Sequence, residues 1–236
     1  MNTGLLKKIV LWPQIRKCKI LWTHYRVSKY CRRLINEYYD QTPEFEIKAK
    51  KEIASKRIIW QYWAQGFDST DIPEIVKFCL DSVEQTSSKY GYELIRISDS
   101  NICEYIDLPE FVIKNQNKYP KAIFSDLLRS LLLECYGGCW LDATVYLGGP
   151  LPERYWNYGF FMYQRDVNEV DKRYWENAFV YYYGWYKGFK VRVLNSVIFS
   201  KKNNLVIYDL TNNLLLFWKK GGKLPDYFFY QIPILS

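Results

Sequence analysis

A chain of 236 residues has the length of one large domain, and its 49% apolar content supplies a packed core, which excludes disordered, collagen-like and low-complexity classes. Aromatics make up 19%, with 22 Tyr and 9 Trp, enough either to thicken a core or to line a concave surface for flat ligands. The net charge of +8 sits wholly in residues 1–39, where nine Lys/Arg face one acid, Glu37, leaving 24 bases and 24 acids in the remainder. A basic segment joined to a neutral body does not fit a nucleic-acid binder, which spreads positive charge over its folded surface, so no nucleic-acid partner is expected.

In chain order, residues 1–50 read as a basic amphipathic helical arm. Its Leu5, Ile9, Trp12, Ile20, Leu21, Trp22, Tyr25 and Tyr30 are interleaved with bases. Such a segment suits an anionic membrane surface, with aromatics at headgroup level and Lys/Arg on lipid phosphates. The alternative is a solvated helix packed on its own domain, and stability is expected to depend little on the arm. The run Ile9-Val10-Leu11-Trp12 is too short for a signal peptide, and no apolar stretch reaches the roughly 18 residues of a membrane span. His24, the single histidine, lies far in sequence from any carboxylate cluster and is expected to be incidental. Six cysteines form no CxxC pair and no zinc spacing, which predicts reduced, buried thiols.

Residues 51–236 read as one α/β domain. A strand is predicted over 57–63, a turn over 65–71, and a helix opened by Pro73 through about Ser87. A second strand follows over 92–97, with Asp99 as N-cap of a short helix. Ser125 is predicted to cap a helix running to Tyr136, where Gly137-Gly138 stops it. A third strand is predicted over 139–147. This alternation implies a mainly parallel central sheet with its ligand site at the carboxyl ends of the strands.

Two charged sites converge in that scheme. Asp126 and Arg129 stand three apart, on one face of a helix that Ile123, Phe124, Leu127, Leu128 and Leu131 make apolar nearly all round. A helix of that kind is buried, and buried charges need a reason to be there. Asp142 and Thr144 share one face of the third strand by alternation, pointing towards the same cleft.

The segments Ile58-Ile59-Trp60-Gln61-Tyr62-Trp63, Ser125-Asp126-Leu127-Leu128-Arg129 and Gly137-Gly138-Cys139-Trp140-Leu141-Asp142-Ala143-Thr144 resemble the capsular polysaccharide synthesis proteins, sugar-transferring enzymes of the family-32 type. The resemblance covers residue 57 onward and implies a GT-A fold, a Rossmann-like nucleotide-diphospho-sugar transferase. It implies transfer of a hexose, with retention, from a nucleotide sugar such as a UDP-sugar to a lipid-linked or growing glycan, on the cytoplasmic inner face of the cell membrane. By position, Asp126, Arg129 and Asp142 match catalytic residues. Gln61, Trp63, Ser125, Asp126 and Arg129 match residues around nucleotide and sugar. Asp142 matches the first Asp of an Asp-x-Asp motif that holds Mn²⁺ or Mg²⁺ on the diphosphate, while Thr144 replaces the second. Asp226, in Asp226-Tyr227-Phe228, resembles a late family segment and is expected either as a further metal ligand or as an N-cap after Pro225.

Thr144 deprives the cation site of one charge, since hard cations prefer anionic oxygen. That departure sustains an alternative, a degenerate, non-catalytic membrane-associated relative. A phosphohydrolase of the haloacid dehalogenase type is disfavoured, because its second Asp is missing at the same position. The chain ends on an apolar run at residues 231–236, from which a truncated C-terminus lacking acceptor-site elements is expected.

Overall fold

A computed structural model describes residues 12–41, 45, 47–68 and 70–235. The first eleven residues of the expected arm, with Leu5, Lys7, Lys8 and Ile9, lie outside the described residues. The elements are α1 (Trp12–Gln41), β1 (Ile58–Tyr62), α2 (Glu74–Tyr90), β2 (Glu93–Ile97), a 3₁₀ turn (Ile102–Glu104), α3 (Glu110–Asn115), α4 (Lys121–Tyr136), β3 (Gly138–Leu141), α5 (Glu153–Asn157), β4 (Phe160–Gln164), α6 (Lys172–Ala178), β5 (Val193–Ser200), α7 (Leu205–Lys220) and a last 3₁₀ turn (Pro233–Leu235).

The fold is mixed α/β, on a five-stranded sheet in the order β2-β1-β3-β5-β4. The central β1 runs parallel to both β2 and β3, as the βαβ alternation predicts. The expectation of a mainly parallel sheet holds only for that half, because β5 is antiparallel to β3 and β4 to β5. Alternating side chains divide the sheet into two faces. Ile58, Trp60, Ile97, Trp140 and Ile198 join the larger core with α1, α4 and α7, while Ile59, Cys139, Leu141 and Phe199 pack with Val83 of α2 and Tyr155 of α5.

Local chemistry sets the element ends. α2 opens after Pro73 with Glu74 in its first turn, where a carboxylate complements the helix dipole. α4 starts at Lys121 after Pro120, four residues before Ser125, so the expected Ser125 cap is displaced into the helix. Asp99 likewise caps nothing; it accepts hydrogen bonds from the Tyr62 hydroxyl and the Lys121 ammonium, both at 2.6 Å, while the short 3₁₀ turn is preceded by Asn101. The third strand ends at Leu141 rather than 147, because the chain turns at Asp142 and Val145 N–H donates to Asp142 O at 2.9 Å.

The basic N-terminal segment packs into the main core. Ile20, Val27, Cys31, Leu34 and Tyr38 of α1 are buried there at helical spacing. At about 1.5–3 kcal/mol per buried apolar side chain, that stripe contributes on the order of 10 kcal/mol, a sum comparable with the whole stability of a domain. The packing thus reverses the expectation that stability depends little on this segment. Tyr38 hydrogen-bonds Tyr208 at 3.1 Å and Lys220 pairs with Glu37 at 2.6 Å, fastening α1 to α7. His24 is buried as well, its Nδ1 accepting from Lys190 N at 3.1 Å and its ring edge-on to Phe189. It packs as a structural residue and does not line the cleft that holds Asp126 and Asp142. All six cysteines are free thiols; Cys18 and Cys103 are exposed, the other four buried as expected.

Candidate functional site

A cleft of about 500 Å³ opens where β1 and β3 end. Trp63 and Ala64, just past β1, form one wall, and Asp142, Ala143 and Thr144, just past β3, form the floor. Ser125, Asp126 and Arg129 enter from α4, and Asn195 with Ser196 from β5. Site residues expected from distant parts of the sequence therefore meet at the carboxyl ends of parallel strands, where backbone ends and helix starts leave room for a ligand.

Arg129 organises this cleft. Its side chain is only 4% exposed, against 10% for Asp126 and 29% for Asp142. Nη2 lies 3.1 Å from Asp126 Oδ1 and 3.3 Å from Asp142 Oδ1, so one nitrogen bridges both carboxylates. Nε donates to the Ser125 carbonyl and Nη2 to the Ser125 hydroxyl, each at 3.3 Å, and Nη1 donates to the Asn195 carbonyl. The guanidinium carbon lies 5.1 Å from the Trp140 ring and 5.4 Å from the Tyr230 ring, within cation–π range. A guanidinium has five N–H groups, so these partners engage nearly all of them. Arg129 thus sets the separation of the two carboxylates more than it reaches for a ligand.

The carboxylates are held from other sides too. Asn195 Nδ2 donates to Asp126 Oδ1 at 3.1 Å, and Gln231 Nε2 in turn donates to Asn195 Oδ1 at 3.1 Å. Trp140 Nε1 donates to Asp142 Oδ1 at 2.6 Å. Burial pushes the Asp126 carboxyl up to about 7; the Arg129 charge and the Asn195 hydrogen bond pull it down, and Asp142 pushes it further up. Burial disfavours the charged Arg129, yet Asp142 and Asp126 outweigh it and raise its pKa, so it stays a cation. Arg129 therefore stays charged beside Asp126, whose carboxyl is raised to about 7.

Gln61 does not line the cleft. By alternation it shares the Ile59 face of β1, is fully enclosed, and its amide has no hydrogen-bond partner. Trp63 does line it, its ring packing against the cluster of Ile72, Val76 and Leu80. Asp226 stands outside this lining, on an adjoining depression; its Oδ1 accepts from Phe228 N at 2.8 Å within a turn, so it does not cap a helix. Asn195-Ser196 resembles a loop near the donor in the capsular polysaccharide synthesis proteins, and both residues line the cleft, whereas Gln231 was not among the expected site residues. The Asn195-Ser196 pair within an otherwise apolar strand was the available signal, whereas nothing in the sequence places Gln231 beside it.

Among the described residues no group of three His, Cys, Asp or Glu is arranged to hold a metal ion. Asp142 Oδ1 is engaged by Trp140 and Arg129, which leaves Oδ2 and the exposed Thr144 hydroxyl as oxygens at the cleft floor. Mg²⁺-type cations are commonly bound through one or two carboxylates completed by substrate phosphates and water, and this small donor set fits that mode.

The profile of the capsular polysaccharide synthesis protein family matches residues 15–235. The chain belongs to that family. Membership is in keeping with a role in glycosyl transfer, with a sugar donor and a glycan acceptor as partners. A solved structure titled "PaToxG Glycosyltransferase" is 14% identical over 90% of this chain and 76% of that one, with a TM-score of 0.41. No curated protein matches the chain.

Proposed function

We propose that this capsular polysaccharide synthesis protein is a GT-A glycosyltransferase that moves a hexose from a nucleotide-diphosphate sugar, with uridine as the base, to a lipid-linked or growing glycan. The observation that carries the reading is a pair of carboxylates, Asp126 buried and Asp142 half-buried, bridged by the buried Arg129 at the carboxyl ends of β1 and β3. In this reading Trp63 stacks on the base, and Asp126, half protonated near neutral pH, exchanges hydrogen bonds with donor-sugar hydroxyls. Asp142 Oδ2 and Thr144 would hold Mn²⁺ or Mg²⁺, which when bound neutralises charge on the diphosphate leaving group. Arg129, 3.3 Å from Asp142 Oδ1, keeps that carboxylate fixed in place while the charge develops. Retention of configuration is carried over from the family resemblance. The basic exposed face of α1 supports placement at the cytoplasmic face of the cell membrane.

The test is UDP release from a set of UDP-hexoses. Asp142→Asn preserves the Trp140 contact and shape, and it should lower turnover by about 100-fold or more while leaving the melting temperature near wild type. Turnover at the wild-type rate would remove Asp142 from the chemistry. A second reading, a nucleotide-binding relative without turnover, is favoured by one feature, the neutral Thr144 beside a single available carboxylate. It predicts nucleotide binding by the wild type with no UDP release.

A further inference from the structure

Beside the main cleft lies a second depression of about 340 Å³, within the roughly 300–1,000 Å³ of small-molecule sites. Tyr182, Tyr227 and Phe228 line both, so the two spaces share one wall. The opposite wall is α1, through Lys19, Thr23 and His24. The basic N-terminal segment therefore reaches the neighbourhood of the site as well as the core.

Two features define what the depression would hold. The first is aromatic. Tyr181, Tyr182 and Tyr227 expose 52%, 53% and 56% of their surface, yet two of the rings are fixed. Phe228, itself buried, meets Tyr182 edge-on at 5.1 Å and Tyr227 edge-on at 5.2 Å. Fixed, exposed rings offer flat apolar faces at little ordering cost, and the C–H face of a pyranose is a flat apolar partner. The second is polar. Asp226 uses Oδ1 on Phe228 N, leaving Oδ2 as an acceptor, and Thr23 and Lys19 supply donors. His24 accepts at Nδ1, so its neutral ring carries the proton on Nε2. One carboxylate balanced by one ammonium suits hydroxyl groups better than a charged ligand.

We propose that this depression is the acceptor subsite, taking a neutral pyranoside ring of the glycan, with α1 as one of its walls. The proposal rests on the reading of the main cleft as the donor site, because the shared aromatic wall would place an acceptor hydroxyl next to the donor.

Saturation-transfer NMR with p-nitrophenyl glucoside, galactoside and N-acetylglucosaminide, without nucleotide, tests it on the full chain. Thr23→Trp fills the depression from α1, and Tyr181→Ala removes an exposed ring that touches neither the donor lining nor the core. Wild type should bind at least one glycoside, and both variants should bind it at least tenfold more weakly. A UDP titration on the same samples should be unchanged between wild type and variants. Failure of wild type to bind any of the three, or equal binding by Tyr181→Ala, would overturn the assignment. Glycoside binding that is lost in the variants, with no UDP binding in wild type, would sustain this subsite and sink the donor reading instead.

Discussion

Arg129 and Asp126 make the cleft's electrostatics dependent on single atoms. Asp126 has an ordinary value of 3.8 and is raised to about 7 in the fold, burial outweighing the pull of Arg129 and Asn195. Between those values the folded state binds more protons than the unfolded one. The contribution of Asp126 to stability is therefore fully present below about pH 4 and is lost as pH rises through about 7. Glu134, raised to about 7 by burial and lowered in part by its hydrogen bond with Thr211, adds a slope of the same sign. Asp126→Asn should remove the first contribution and keep the second. Urea midpoints measured at about pH 5 and about pH 8 should then fall less in the variant than in wild type. Equal slopes would mean that Asp126 is ionised in the fold throughout. Arg129→Ala is predicted to destabilise at neutral pH, costing about 3–5 kcal/mol, because it leaves the buried Asp126 and the half-buried Asp142 without their cation. Denaturant unfolding checks that value, and a loss below 1 kcal/mol would place the ion pairs among weak surface pairs.

At the scale of elements, the turn from α4 into β3 fixes where Asp142 falls. Gly137 and Gly138 have φ of +72° and +102°, and a Cβ on Gly138 would stand 2.6 Å from Ile58 O. That close approach lets β3 enter beside β1 directly under the helix. Gly138→Ala should cost about 2–3 kcal/mol or more from strain and displaced backbone, whereas Gly149→Ala, with open space around its Cβ, should cost under about 0.5 kcal/mol. Comparable losses in calorimetric unfolding would show that the turn is not constrained. This turn was legible in the sequence because two adjacent glycines after an apolar helix have few other readings. The helices α2 and α4 were legible for the same kind of reason, a sustained apolar period. Their starts were less so: Pro120 outranked Ser125 at α4, since a proline suits a helix entry as well as a capping hydroxyl does. The antiparallel half of the sheet was not legible. β5 carries the polar Asn195-Ser196 pair and β4 is followed by irregular chain, so neither shows a clean period of two.

For the molecule as a whole, α1 has two faces of different chemistry. One is buried in the core; the other exposes Arg26, Lys29, Arg32 and Arg33 beside Trp22 and Tyr25. Arg26 lies over the Trp22 ring at 4.5 Å. Changing the four bases to Gln leaves the buried stripe untouched. At about 1 kcal/mol per base, binding to phosphatidylglycerol vesicles should weaken by about 1,000-fold, with the melting temperature preserved. Vesicle sedimentation that is unchanged would confine α1 to the core and to the wall beside the cleft. The same division explains what could be read of the site. Asp126, Arg129 and Asp142 lie close in the chain, on neighbouring elements, and their convergence followed from helix and strand geometry. Asn195, Tyr230 and Gln231 reach the same point only through the antiparallel strand and the C-terminal segment, contacts that no local pattern encodes.

In the proposed function the cleft around Arg129 holds a nucleotide diphosphate. Isothermal titration of UDP into the folded protein, with and without Mn²⁺, tests it most directly. Saturable binding is expected, tightening at least tenfold when Mn²⁺ is present and losing that dependence in Asp142→Asn. No heat of binding from UDP in either condition would contradict it.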